Sequence, residues 1–194
     1  MKYFVAHLLS GDVAQYHTTL TQELSHRFRA TPIHEKVAPH ITVKIPFEAN
    51  EYELLQVEHV LAHFTSTRHA PPMTLEGFGR FGFKTVYLDV VKSHEAVHMV
   101  RDCVNELNQL KWMQQVHHEG NKLHASVARF LTYKQFRRIW REVKHERPHF
   151  KERLDSLAIL KKPHGEKKWH VHRNFNFATP SHISLNTATF SASR

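Results

Sequence analysis

The sequence predicts an α+β fold, in one compact domain or two small lobes of a single unit, because one succession of elements occurs twice. Strand, capped helix, strand and strand follow each other near residues 39–91 and again near 123–177. Two similar stretches head the copies, Pro39-His40-Ile41-Thr42-Val43-Lys44-Ile45 and Leu123-His124-Ala125-Ser126-Val127-Ala128-Arg129. In each, β-branched or small apolar residues alternate with a histidine and a hydroxyl residue, the period of a half-buried strand. An apolar fraction of 41% in 194 residues suffices for a packed core, and no low-complexity segment argues for disorder.

Tyr3 to Leu9 reads as a buried strand. Asp12 is placed to cap a helix whose stripe, Val13, Tyr16, Leu20, Leu24 and Phe28, recurs at three- and four-residue steps. A loop from Thr31 to Ala38 leads to the first His strand, which Pro46 is expected to end. Asn50 with Glu53 makes a capping box for a helix to about Ser66, and Pro71-Pro72 breaks the chain. Two strands, Met73 to Phe81 and Lys84 to Val91, turn at Gly82. Ser93 then caps a helix carrying Ala96, Val97, Val100, Val104 and Leu107, and a polar loop, Gln114 to Lys122, precedes the second His strand. Thr132 with Gln135 forms another capping box, ahead of a helix striped by Phe136, Ile139, Trp140 and Val143 and stopped by Pro148. Arg153 to Leu160 and Trp169 to Phe177 complete the repeat across the basic turn Lys161 to Gly165.

Composition narrows the function classes. A net charge of +9 points to an anionic partner such as RNA, a nucleotide or a phosphorylated metabolite, or else to a basic solvated surface. Cys103 is the only cysteine, so no intrachain disulfide can form and a reducing compartment is expected. The opening MKYFVAHLLSG is too short and too broken by His7 for a signal peptide. No apolar run approaches the roughly 20 residues of a membrane span, so a cytoplasmic protein without a membrane partner is expected.

Residues two apart on a strand share a face, so His40 sits beside Thr42, and His124 beside Ser126. Two imidazoles, each with a hydroxyl neighbour, suit phosphoryl transfer without a metal. One removes a proton, the other supplies one, and the hydroxyls hold non-bridging oxygens. The short pattern alone decides nothing: with 19 histidines, His-x-Ser/Thr arises by accident about twice. It begins here at His17, His40, His63, His124 and His182. His17 and His63 fall in helical patterns, where a spacing of two splits the faces. His182 has too few residues after it to build a unit and reads as a tail or edge segment.

With PHITVKIPF and LHASVARF on a duplicated plan, the chain resembles the 2H phosphoesterase superfamily, the 2′-5′ RNA ligase-like family, and most of all its small bacterial YjcG-like branch. The resemblance spans nearly the whole chain, 1–194, and implies two pseudo-symmetric lobes. Each lobe would be an antiparallel sheet with outer helices, and the His motifs would face each other across a central cleft. It also implies 2′,3′-cyclic phosphodiesterase or related chemistry on RNA ends or small cyclic-phosphate nucleotides, with no metal or other cofactor. His40 and His124 would then be the acid–base pair and Thr42 and Ser126 the phosphate-binding pair. Ser126 stands where threonine is commoner. Arg129, at odd spacing from His124, should point away from the cleft unless the strand bends. Lys44 replaces a bulkier apolar residue. Tyr3 and Phe4 stand where the family carries an aromatic near a base pocket, a core role being the alternative.

Other readings compete. A non-catalytic RNA- or nucleotide-binding module would keep the same cleft. His94-Glu95-Ala96-Val97-His98 matches the zinc-peptidase pattern, but it starts at a helix cap and no third ligand stands out. His170 and His172 share a face and are expected toward solvent. His117-His118 could bind a metal adventitiously. Arg137, Arg138, Arg141 and Lys144, with the turn from Lys161 to Lys168, could track an RNA backbone or form a solvated basic face.

Overall fold

Both His strands lie at sheet edges. In the computed structural model, which describes residues 1–116 and 120–178, the strands are β1 (Lys2–Leu8), β2 (His40–Glu48), β3 (Pro72–Phe81), β4 (Thr85–Val91), β5 (His124–Arg129), β6 (His149–Arg153), β7 (Ser156–Lys162) and β8 (His170–Asn176). They form two four-stranded antiparallel sheets, ordered β2-β1-β7-β8 and β5-β4-β3-β6. Matching the orders pairs β2 with β5, β1 with β4, β7 with β3 and β8 with β6, the expected pseudo-symmetry of two lobes. The helices are α1 (Gly11–Phe28), α2 (Ile33–Lys36), α3 (Glu51–Ser66), α4 (His94–Leu107) and α5 (Tyr133–Val143).

The sequence units and the lobes do not coincide. After β2, the chain crosses over to build β3 and β4 of the other sheet; after β5 and β6 it returns to build β7 and β8 of the first. The second unit also holds three strands after its helix: Arg153, expected to begin a strand, instead ends β6, which pairs with β3, and β7 begins at Ser156. Helices cross the divide as well: α1, which joins β1 to β2, packs against β5, and α4, which joins β4 to β5, packs against β2. The edge strands β2 and β5 meet where the lobes abut.

Local chemistry sets most boundaries. Asn50 Oδ1 accepts from the Glu53 N–H at 2.9 Å while the Glu53 carboxylate accepts from the Asn50 N–H at 2.8 Å, so the box that starts α3 is closed. Thr132 and Gln135 do the same for α5. Such caps are worth about 1 kcal/mol each. Three expectations shift: the N-cap position of α1 is Ser10, without a side-chain capping bond, rather than Asp12, the loop before β2 holds the short α2, and Pro46 does not end β2. Pro46 falls where the β1–β2 register slips, so its missing N–H breaks no ladder bond. The core gathers Phe64, Leu61, Leu75, Leu88, Leu107 and Ile139 between the sheets and their helices. A smaller cluster of Phe4, Ala6, Ala158 and Leu160, covered by Val37 and Trp169, lies apart from it. No helix among the described residues is long and apolar enough to cross a membrane.

Candidate active site

The two histidines are held alike. His40 donates its Nδ1–H to the Ala38 carbonyl at 2.7 Å, and His124 donates its Nδ1–H to the Lys122 carbonyl at 2.9 Å. Each bond fixes the ring and the tautomer, leaving Nε2 as the free, basic nitrogen. Among the described residues neither Nε2 has a partner, and neither do the hydroxyls of Thr42 and Ser126. All four side chains are half-buried.

Each His strand carries a β-bulge just after its hydroxyl residue. On β2, Thr42 opposes Ala6 and Lys44 opposes Val5, so Val43 is the extra residue. On β5, Ser126 opposes Tyr87 and Ala128 opposes Val86, so Val127 is extra. An extra residue reverses the alternation of faces beyond it. Lys44, at even spacing from His40, is thereby turned inward and is 1% exposed, its Nζ donating to Asn108 Oδ1 at 3.0 Å and the Gln114 carbonyl at 2.8 Å. Arg129, at odd spacing from His124, is turned outward to the cleft. There it lines a pocket of about 70 Å³ with Phe4, Val37, His40, Thr42, Pro46 and Trp169. That volume is about two waters' worth, the scale of a phosphoryl group rather than a whole nucleotide. The expectation that a regular strand points Arg129 away fails because the strand is not regular.

Electrostatics tie the group together. Burial pulls the His40 imidazole down to about 4, and the charges of His17, Arg129 and His124 push the same way against the Ala38 bond. Burial also lowers His124, with Arg129 and Lys122 acting likewise, but Asp89 opposes them. Arg129 thus bears on both rings, and it is itself partly desolvated. Rings wall the site on both sides: Phe4 lies 5.2 Å from His40 and 4.7 Å from Trp169, while Phe81 and Tyr87 lie 4.8 and 5.0 Å from His124.

His17, whose motif falls inside a helix, matters in another way. From α1 it donates Nε2–H to the Ser126 carbonyl at 2.9 Å, bracing the bulge of the opposite lobe. Only the inward side of the α1 stripe hints at it in the sequence. Trp169 escapes sequence reasoning too, since alternation on β8 says nothing of what faces the residue before it. His170 and His172 do not line the pocket: a bulge at His172 separates them, His170 meeting Glu166 at 2.7 Å and His172 meeting Glu58 at 2.8 Å. His94, Glu95 and His98 are exposed at the start of α4, and among the described residues no three His, Cys, Asp or Glu converge as metal donors. His117, His118 and His182 lie outside the described residues.

The family model for the 2′-5′ RNA ligase superfamily matches residues 12–166. The chain belongs to that superfamily, the 2H phosphoesterases. A Staphylococcus aureus (strain Newman) protein named "Putative phosphoesterase" is 26% identical over 159 residues, spanning 79% of this chain and 89% of its own length. A Staphylococcus haemolyticus protein of similar name, SH1944, is 27% identical over 165 residues, with the same coverage. Among solved structures, Escherichia coli LigT complexed with 3′-AMP superposes with a TM-score of 0.61 at 12% identity, over 92% of this chain and 98% of LigT. TT0787 of Thermus thermophilus superposes at 0.59 with 13% identity, over 91% of this chain and 98% of its own. At those identities the likeness is one of fold.

Within this 2H fold, Gly79 is set by the site. It sits opposite Tyr87, and a Cβ there would run into the Tyr87 ring. Gly79→Ala is therefore expected to push Tyr87 toward His124 and lower turnover severalfold. Overpacking should cost about 1–3 kcal/mol of stability. Activity and melting temperature equal to those of the parent would show that the ring has room.

Proposed function

We propose that the chain is a metal-independent phosphodiesterase that opens a 2′,3′-cyclic phosphate on an RNA end or a small nucleotide. The observation that carries this reading is the pair of like-held imidazoles, each with an open Nε2 and an unengaged hydroxyl neighbour, both under the charge of Arg129, which lines a phosphate-sized pocket with His40 and Thr42. E. coli LigT, of the same fold, has been crystallised with 3′-AMP, which is in keeping with a nucleotide phosphate as ligand.

The chemistry balances with the groups at hand. Water attacks phosphorus and its proton passes to the neutral Nε2 of one histidine. The bond from phosphorus to one ribose oxygen breaks, and that oxygen takes the Nε2 proton of the other, charged histidine. We assign His40 as the base, because it is held lower, and His124 as the acid, because Asp89 favours its charged form. Arg129, Thr42 and Ser126 donate to the non-bridging oxygens, where charge grows in the transition state. Phe4 and Trp169 wall the pocket beside His40.

Both histidines lie below their ordinary value, so the singly protonated pair is most populated on the acid side of about 6.5. The bell around pH 6–8 that unperturbed histidines would give should move that way in kcat/KM. The test is hydrolysis of 2′,3′-cyclic nucleotides, ADP-ribose cyclic phosphate and 2′-5′ oligonucleotides, with and without EDTA. Cyclic-phosphate turnover that survives EDTA is expected. Nucleotide binding without turnover would favour a binding module, and turnover lost to EDTA would point to zinc at His94 and His98.

A further inference from the structure

A groove of about 500 Å³ runs along the outer side of α5, lined by Tyr133, Lys134, Arg137, Trp140, Arg141 and Lys144 among others. The inner side of the helix packs into the core through Phe136, Ile139 and Val143. Residues 133, 137, 141 and 144 recur at three- and four-residue steps, so they form one stripe about 17 Å long by the helical rise. Among the described residues none of Lys134, Arg137, Arg141 and Lys144 pairs with a carboxylate. The flank toward α1 differs: Glu142 there meets Arg27 at 2.9 Å and Arg138 covers the Phe28 ring.

Exposed rings join this stripe to the cleft. Tyr133, 58% exposed, lies under the Arg137 guanidinium and meets Phe83, 52% exposed, edge-on at 5.2 Å. Phe83 sits in the β3–β4 turn beside Phe81, the ring against His124. On the near side, Arg129 of the pocket lies 5.1 Å over the ring of Phe130. Phe130 is 74% exposed at a φ of 58°, a left-handed backbone that bulky residues rarely adopt. An apolar ring turned to water on a strained backbone is costly twice over, and such strain persists mainly at functional sites. Rings alternating with unpaired cations, leading away from a phosphate pocket, are what single-stranded nucleic acid needs: faces for its bases and charge for its backbone.

We propose that this path is a binding surface for single-stranded RNA, seating the nucleotides upstream of an end held in the cleft. Bases stack on Phe130, Phe83 and Tyr133, and phosphates meet Arg137, Arg141 and Lys144. This rests on the phosphodiesterase reading and narrows it to a polymer end. A duplex offers no free base faces to these rings, and a lipid surface would not explain why they lead to His124.

The test uses the full chain and a 5′-labelled single-stranded RNA of about eight nucleotides with a 3′-phosphate. By fluorescence anisotropy the affinity should fall with salt at about −0.7 in log–log slope per phosphate contact. Arg137→Ala with Arg141→Ala should flatten that slope by about 1.4, and Phe83→Ala should weaken binding about ten- to a hundredfold. In kinetics, the double variant should lower the ratio of kcat/KM for a cyclic-phosphate-ended oligomer over that for 2′,3′-cyclic AMP. If neither cyclic substrate turns over yet RNA binding still follows the double variant, the path stands and the phosphodiesterase reading falls. If both turn over and neither slope nor ratio responds to the variants, the path alone is overturned. Binding to phosphatidylserine vesicles without binding to the RNA also overturns it.

Discussion

Alanine at His40 or His124 is expected to cut turnover of a 2′,3′-cyclic nucleotide by at least about a hundredfold, since each proton transfer contributes on the order of 10²–10⁴. The two losses should differ in kind. His40→Ala removes the group that takes the proton from water, so it should abolish the acid limb of the pH profile whatever the leaving group. His124→Ala removes the proton donor, so a nitrophenyl phosphodiester, whose leaving group needs no proton, should recover most of the loss. Thr42→Ala and Ser126→Ala should cost less than either, because each removes one neutral donor to a charged oxygen. Two histidine variants that both keep turnover within a few-fold of the parent would sink the acid–base pair. Recovery of His40→Ala rather than His124→Ala on the nitrophenyl substrate would exchange the roles.

Much of the architecture is legible in the sequence because it rests on local rules. Period-two strands, a three-to-four-residue stripe on each helix and the Asn50 and Thr132 capping boxes all follow from nearby residues. The succession around His40 and His124 is legible for the same reason. Sheet membership is not. Nothing local says that β3 and β4 leave the sheet of β2, or that α1 and α4 brace the opposite lobe, because those choices come from burying apolar faces across the whole molecule. Inside the strands, alternation holds to Thr42 and Ser126 and then misleads. A bulge is a property of the pair of strands, not of one. So Lys44 is buried and Arg129 reaches the cleft, against what their spacing from the histidines says. The bulges occupy the same place in both copies, which makes them part of the duplicated design. In the second copy the reversal delivers a cation to the pocket beside His40, and in the first it leaves Ile45 at the matching position.

That asymmetry makes Arg129→Ala the substitution with the next largest expected effect. A preorganised charged donor aimed at developing charge in a partly dry pocket is worth about 10²–10³ in kcat, and Arg129 is the guanidinium that lines the pocket with His40 and Thr42. Its removal should also move the pH profile. The positive charge of Arg129 disfavours protonation of both His40 and His124, so without it both take up protons more readily and their values rise toward 6.5. The kcat/KM bell should therefore shift toward neutral pH while its height falls. Arg129→Lys keeps a cation but loses the two-pronged fork that matches two phosphate oxygens. It should hold the bell near its parental position and recover only part of the rate. Stability should change little, because the side chain is exposed and its contact is with the exposed Phe130 ring. A full-rate Arg129→Ala enzyme with an unmoved profile would mean that the bulge turns this arginine to solvent and that the two hydroxyls hold the phosphate alone.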